Sequence, residues 1–135
     1  MSDVRIIDAS AALAYLQQEK GQDRVEAAFD EGPCVMSAVN ACEVLGKLCE
    51  GGMPPEEAGA AFDDLALTVV DFGAELARQA AFLRVPTRAI GASLGDRACL
   101  ALARHLADAE DTPIVYTAEK AWTRLKWPFK IVVIR

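Results

Sequence analysis

The chain has 135 residues, of which 53% are hydrophobic and only 7% aromatic, a composition that suits one aliphatic core and excludes a disordered tail. The formal net charge of −6 argues against a simple electrostatic nucleic-acid binder, because affinity for phosphate backbones comes from basic side chains. The sequence has no basic leader segment and no apolar run of about 18 residues. We therefore expect one cytoplasmic domain over residues 1–135 that does not enter a membrane.

Short β-branched runs alternate with helix-forming segments along the whole chain. Ser37 can cap a helix, Gly51 can end it, and Pro86 stops another. In chain order, the predicted elements are a strand at 4–7, helices at 9–16 and 22–30, a strand at 34–36, helices at 38–50 and from 56 onward, a strand at 67–70, a helix at 74–84, a loop at 86–95, a helix at 94–109, a strand at 114–116, a short helix at 118–125 and a strand at 130–134.

This alternation predicts an α/β fold. Strands that are apolar on both faces are typical of a parallel sheet covered by helices on each side. We therefore expect a three-layer α/β/α sandwich with a central, mainly parallel, five-stranded sheet.

Four acidic residues fall where such a fold places its ligand crevice, at the carboxyl ends of the strands where the strand order reverses. Asp8 ends the first strand and Glu119 follows the fourth. Asp96 opens the helix that leads into the fourth strand, and Glu43 lies two turns into the helix after the second. If the first and fourth strands are neighbours, the four carboxylates can converge.

Each acid also has a purely structural interpretation. The stretch from Ser93 to Asp96 has the pattern of a helix capping box, and Glu43 stands four residues before Lys47, the favourable order for a surface ion pair. Asp8 and Glu119 can neutralise helix N-termini. Asp8 is harder to dismiss, because a carboxylate after a buried strand is costly unless something compensates its charge.

Carboxylates that converge in one cleft either take up protons or bind a hard cation. Because the set contains oxygen ligands only, Mg²⁺ or Mn²⁺ suits it. The only histidine, His105, falls in the middle of the helix predicted at 94–109 and not at a strand end, which argues against a histidine-based nuclease. The four cysteines lack zinc-site spacing, and we interpret them as reduced core residues.

Four ordered blocks of the sequence resemble the signature blocks of PIN-domain ribonucleases, and most of all the VapC toxins of VapBC toxin-antitoxin systems. The resemblance covers nearly the whole chain. The blocks are IIDASAAL at 6–13, SAVNACEV at 37–44, SLGDRACLALA at 93–103 and VYTAEKAW at 115–122.

The resemblance implies a PIN-like sandwich that acts as a metal-dependent endoribonuclease. It assigns Asp8, Glu43 and Asp96 to a divalent metal, with Glu119 as the fourth acid where the family usually has Asp. It further implies a VapB-type antitoxin that neutralises the enzyme, and a homodimer. Three polar residues match supporting positions: Ser10, Asn40 and Thr117.

Basic residues must still steer the RNA substrate. Arg88 and Arg97 flank the loop that enters the sixth helix, in which Gly91 and Gly95 are candidate pivots. Near Trp122 and Trp127, a second group can grip phosphates while a tryptophan stacks a base, although core packing is the commoner fate of Trp122. This second group consists of Lys120, Arg124 and Lys126.

Two other functions use the same fold class. A receiver-like signalling domain would take Asp8 as a metal acid and Asp71 as the phosphoacceptor, but it needs a second acid after the first strand and a lysine after the fifth. Lys130 instead precedes that strand. A catalytically silent PIN-like binding module is the second alternative, kept open by Glu119.

Overall fold

Five strands form one sheet in which every neighbouring pair runs parallel. The computed structural model describes residues 2–135. The strands are β1 (Asp3–Ile7), β2 (Cys34–Ser37), β3 (Thr68–Val70), β4 (Thr112–Thr117) and β5 (Lys130–Val133). Their order is β3-β2-β1-β4-β5, so the strand order reverses between β1 and β4. The predicted α/β class is confirmed, and the sheet is parallel throughout.

Six α-helices and two 3-10 turns connect the strands within the described residues. One prediction of helix type is wrong: the segment predicted as a short helix at 118–125 forms a 3-10 turn over Lys120–Arg124. The other 3-10 turn, Arg88–Ile90, lies within the predicted loop. The helices are α1 (Ala9–Leu16), α2 (Gln22–Glu31), α3 (Ala38–Glu50), α4 (Pro55–Asp63), α5 (Ala74–Phe82) and α6 (Leu94–Asp108).

The sheet separates two apolar layers because successive side chains of a strand point to opposite faces. Ile7 is fully buried in the layer formed with α1 to α4, whereas its neighbour Ile6 is fully buried in the layer formed with α5 and α6. Helices thus cover both faces of the sheet, which completes the expected three layers.

Helix α6 is buried over most of its circumference. Residues 97–103 are all buried, and the helix contacts α3 and α5 as well as the sheet strands β2 and β4. This explains why a helix with so little polar surface does not face water. Its N-terminus lies at the carboxyl edge of the sheet, next to α3.

The prediction that all four cysteines belong to the core is half wrong. Cys34 and Cys99 are buried, whereas Cys42 and Cys49 are exposed. Helix α3 buries Ala41, Val44 and Leu48, so the two exposed cysteines lie one position beyond the covered stripe. All four are free thiols.

Among residues 2–135, no helix combines the length and the apolar composition that a membrane crossing requires.

Candidate active site

A cavity of about 400 Å³ lies at the carboxyl edge of the sheet, beside the β1–β4 pair. All four predicted acids line it, although they come from four different segments of the chain. Ser10 and Asn40 line it too, whereas the third predicted supporting residue, Thr117, contacts the site through Asp8. The complete lining is Asp8, Ala9, Ser10, Leu13, Asn40, Glu43, Lys47, Ser93, Asp96 and Glu119.

Asp8 is the N-cap of α1 and is 3% exposed. It lies between the end of strand β1 and the start of helix α1. Its Oδ1 accepts a hydrogen bond of 2.8 Å from the backbone N–H of Ala11. The capping role proposed from sequence is therefore real. Three further contacts to its carboxylate exceed what a cap requires.

Two hydroxyl groups donate to the Asp8 carboxylate. Thr117 Oγ1 donates to Oδ2 over 2.6 Å, and Ser10 Oγ lies 2.8 and 2.9 Å from the two oxygens. Each hydroxyl oxygen also accepts a backbone N–H: Ala118 bonds to Ser10 at 2.9 Å and Glu119 to Thr117 at 3.0 Å. Since these acceptor sites are occupied, the hydroxyl protons are oriented toward Asp8.

Burial nevertheless raises the pKa of Asp8 from 3.8 to about 6. The loss of water around the carboxylate is the largest cause, and the negative charge of Asp96 adds to it. The hydrogen bonds from Thr117, Ala11 and Ser10 act in the opposite direction, because they stabilise the ionised form. Asp8 therefore carries a charge that its surroundings only partly compensate.

The buried thiol of Cys99 is exposed to the negative charge of three of the acids. Burial raises the pKa of Cys99 well above its ordinary value, and the negative charges of Asp8, Asp96 and Glu43 raise it further. Cys99 lies within α6, three residues after Asp96.

Asn40 fixes the position of the Glu43 carboxylate. Its Nδ2 donates to Glu43 Oε1 at 2.9 Å and to the backbone carbonyl of Gly95 at 3.0 Å, so it ties α3 to the start of α6. The side chain is 2% exposed, and its buried Oδ1 has no hydrogen-bond partner among the described residues. The Glu43–Lys47 ion pair considered from sequence does not form. Lys47 Nζ instead lies 4.0 Å from Glu50 Oε1.

Gly95 provides the space that Glu43 occupies. A Cβ atom at this position would overlap the Glu43 carboxylate. Gly95 lies within the first turn of α6 and is buried, so the structure does not support its predicted role as a loop pivot. Nothing in the sequence pattern singles out this steric role. Lys47, which is the only cationic residue among the described residues of the cavity lining, was also not predicted as a site residue.

Asp96 closes the capping box that the sequence predicts. Its Oδ2 accepts the backbone N–H of Ser93 at 3.0 Å, and Ser93 Oγ accepts the N–H of Asp96 at 3.2 Å. Asp96 is half-buried and faces the same cavity as Asp8. Asp96 therefore both caps helix α6 and lines the cavity.

The acid side chains share the cavity without forming a ready-made metal cluster. Across residues 2–135, no three His, Cys, Asp or Glu side chains stand close enough together to hold a metal ion. The geometry explains this, because Asp8 is turned to its hydroxyl donors, Glu43 to Asn40 and Asp96 to Ser93. Glu119 is exposed at the rim. The donor atoms are all oxygens, as a hard divalent cation requires.

The predicted RNA contacts separate into exposed and buried residues. Arg88, Lys120 and Arg124 are exposed, and their two 3-10 turns contact each other. Arg97 is not exposed as expected: its side chain is 9% exposed, and Nη1 donates to the carbonyl of Ala80 at 3.1 Å.

Both tryptophans pack into the protein. Trp122 is 1% exposed, in agreement with its expected core packing. Trp127 is half-buried, donates to the carbonyl of Trp122 at 2.9 Å and stacks on Phe129. Base stacking on Trp122 would require the core to open.

Comparisons with known proteins agree with this architecture. A comparison with curated proteins finds no match. Similar solved structures include DNA-bound VapBC from Salmonella typhimurium, with a TM-score of 0.71, 14% identity and 98% of each chain covered. VapBC2 from Rickettsia felis bound to a promoter DNA fragment gives 0.65 and 13%, covering 96% of this chain and 97% of that one. VapBC-1 from nontypeable Haemophilus influenzae gives 0.60 and 17%, covering 92% and 96%.

These structural similarities establish the fold. The sequence profile of the PIN domain matches residues 5–127, a range that includes every acid of the cavity. The chain therefore belongs to the PIN domain family.

Proposed function

We propose that this protein is a divalent-metal-dependent endoribonuclease and the toxin of a toxin–antitoxin pair. The observation that carries the proposal is the convergence of Asp8, Glu43, Asp96 and Glu119 on one cavity of a PIN domain. The sheet order argues against the receiver alternative. Asp71 follows the edge strand β3, two strands and thus about 10 Å from β1, and does not line the cavity.

The cavity fits Mg²⁺ or Mn²⁺. Asp8, Glu43 and Asp96 would hold the ion, with Glu119 at the rim as the fourth acid. When bound, such a cation activates water and neutralises charge on the scissile phosphodiester. The unpartnered Oδ1 of Asn40 adds an oxygen acceptor to the same wall.

The polar neighbours position the acids. Ser10 and Thr117 keep the Asp8 carboxylate oriented and favour its ionised form, which is the form that binds a cation. Asn40 holds the Glu43 carboxylate in position through its hydrogen bond to Oε1. Ser93 anchors Asp96 at the head of α6. Three of the four acids, Asp8, Glu43 and Asp96, thus have a partner that limits the rotation of the side chain.

Cleavage of single-stranded RNA by the purified protein tests the proposal. With Mg²⁺ or Mn²⁺ we expect cleavage that EDTA abolishes, and we expect Asp8→Asn or Asp96→Asn to reduce it by roughly two orders of magnitude or more. Asp71→Asn removes the same charge outside the cavity and should leave the rate unchanged. Full activity in Asp8→Asn would refute the metal assignment, and phosphorylation of Asp71 by a small phosphodonor without nuclease activity would revive the receiver alternative.

Glu119 is tested separately. If it assists the cation, Glu119→Asp should preserve or raise the cleavage rate, whereas Glu119→Gln should lower it. Equal rates for wild type and Glu119→Gln would remove Glu119 from the site.

The partner proposal is supported by the similar structures, which are VapBC complexes by their descriptions. We propose that a VapB-type antitoxin encoded beside this chain binds it and blocks the cavity, and that the toxin is a homodimer. Sequencing of cleavage sites after induced expression, with and without the neighbouring gene product, should show cuts that the partner suppresses. Sizing by light scattering should give twice 14.5 kDa for the free chain.

A catalytically silent binding module is the second candidate function. The exposed position of Glu119 and the separation of the acid side chains favour it. Calorimetric titration with Mn²⁺ separates the two functions: a silent module gives no binding heat that depends on Asp8, whereas the nuclease gives heat that Asp8→Asn abolishes.

A further inference from the structure

A second cavity of about 410 Å³ adjoins the acidic one. We call it the arginine cavity, because Arg84, Arg88 and Arg97 line it. Ser93 belongs to the walls of both cavities, so the two are neighbours on either side of the α6 N-terminus. The cavity lined by the four acids thus adjoins a cavity lined by three arginines.

The three arginines have no anionic partner among the described residues. The ion pairs of residues 2–135 are Arg5–Glu31, Lys47–Glu50 and Arg135–Glu19, and none involves the arginine cavity. Three cations around one cavity repel each other, and this repulsion is relieved when an anion binds.

The environment of Arg97 gives the strongest indication that the arginine cavity binds a ligand. Its side chain is nine-tenths buried, donates once to the carbonyl of Ala80 and leaves a buried Nε without a partner. A buried guanidinium without a counter-ion destabilises a fold. Its place in the cavity wall is where an anion would compensate it.

We infer that the arginine cavity binds a backbone phosphate of the RNA strand, next to the phosphate that is cleaved. The inference rests on the proposed function for the identity of the polymer. The planar guanidinium groups donate paired hydrogen bonds to phosphate oxygens, which lysine cannot match. An RNA strand with one phosphate in the acidic cavity continues past Ser93, so a neighbouring phosphate meets the arginines.

This arrangement also gives the site an affinity for RNA that does not depend on metal. The acidic cavity repels phosphates when no cation is bound, and the net charge of the chain is −6. Attraction in the absence of metal must come from local basic groups. Arg84 and Arg88 are exposed and available for it.

Binding of a labelled single-stranded RNA in EDTA, measured by fluorescence anisotropy between 50 and 200 mM salt, tests the inference. We expect Arg84→Ala/Arg88→Ala to weaken binding by roughly tenfold and to reduce the slope of log K against log salt by about 0.7, the value for one lost phosphate contact. Arg84→Lys/Arg88→Lys should recover part of the affinity.

Two controls isolate the arginine cavity. Arg104→Ala removes an exposed arginine of α6 that lines a different cavity and should leave both affinity and slope unchanged. Asp96→Asn should lose cleavage with Mg²⁺ while it keeps RNA binding in EDTA.

The failures of the two proposals are distinguishable. If wild type cleaves RNA but Arg84→Ala/Arg88→Ala binds it like Arg104→Ala, the arginine cavity is not a phosphate site and the nuclease function stands. If the double variant loses affinity for the antitoxin alone, the cavity is a protein-docking site and the inference is overturned. If wild type neither binds nor cleaves RNA, both proposals fail.

Discussion

Asp8 is a carboxylate that the fold keeps from water while surrounding it with hydrogen-bond donors. The two influences oppose each other, and the raised pKa of about 6 shows that the loss of water is the larger. Proton binding to Asp8 is therefore favoured in the folded state. Its contribution to the free energy of unfolding is fully present below pH 3.8 and is lost as the pH rises through about 6. A shift of about two pKa units corresponds to about 3 kcal/mol.

We predict that Asp8→Asn stabilises the metal-free protein at neutral pH. The amide is neutral, so the free energy of unfolding at pH 7.5 should rise by about 1–3 kcal/mol, less whatever the lost hydrogen bonds to Ser10 and Thr117 contribute. Urea denaturation in EDTA at pH 4.5 and 7.5 measures this. The gap between variant and wild type should shrink at pH 4.5, and a gap of equal size at both pH values would contradict the assigned charge.

Gly95 is predicted to matter for function and not for stability. In Gly95→Ala the new methyl group displaces the flexible end of Glu43, so cleavage should fall roughly 10–100-fold. Stability should stay level or rise by up to about 1 kcal/mol, since alanine favours a helix over glycine. Thermal denaturation and RNA cleavage together measure both effects.

Gly46→Ala is the matched control in the neighbouring helix. A Cβ at this position meets nothing within 4 Å. We expect a similar gain in stability with unchanged cleavage. An equal loss of activity in both variants would show that the effect of Gly95→Ala is not steric at Glu43.

At the scale of elements, α6 combines a structural cap with a proposed ligand at Asp96. The two roles separate by substitution. Asp96→Asn keeps an oxygen that accepts the Ser93 N–H, so the free energy of unfolding should fall by less than about 1 kcal/mol, whereas Asp96→Ala should lower it by about 1–2 kcal/mol. Both should lose cleavage, as measured on RNA with Mg²⁺. If Asp96→Asn retained cleavage, Asp96 would serve only as a helix cap and not as a metal ligand.

Most elements could be predicted because their ends carry local signals. Ser37 and Ser93 cap α3 and α6 as their types suggest, and apolar runs locate the strands to within two or three residues. The segment at 118–125 has helix-forming residues but forms a 3-10 turn. A single short turn gains too few hydrogen bonds to fix an α-helix, and the burial of Trp122 decides its shape.

The exposure of Cys42 and Cys49, in contrast, could not be predicted from the sequence. Periodicity identifies an apolar stripe on α3 but not which edge of the stripe is covered, because that depends on where α4 and the sheet pack. The same holds for Arg97, whose burial depends on α5.

At the scale of the molecule, the sequence predicted the acids and three of their polar neighbours, Ser10, Asn40 and Thr117, but not the close approach of α3 to α6. Strand ends and helix starts located the four carboxylates, and the structure meets the condition for their convergence, because β1 pairs with β4. The contacts from Asn40 to Gly95 and the space above Gly95 depend on the approach of α3 to α6, which no local pattern encodes.

We predict that divalent metal stabilises the whole protein more at neutral than at acidic pH. Ionised Asp8 attracts a cation, whereas protonation competes with it below about pH 6. At a hundredfold excess over Kd the gain is about 2.7 kcal/mol. The rise in Tm with Mn²⁺ should therefore be larger at pH 7.5 than at pH 5, and it should vanish in Asp8→Asn. The same rise in Tm at both pH values would place the ion elsewhere.

The 2.6 Å hydrogen bond between Thr117 and Asp8 joins positions 109 residues apart in a chain of 135. Strands β1 and β4 must therefore pair before Asp8 acquires its hydroxyl donor, so the site is completed only when distant parts of the chain have folded together.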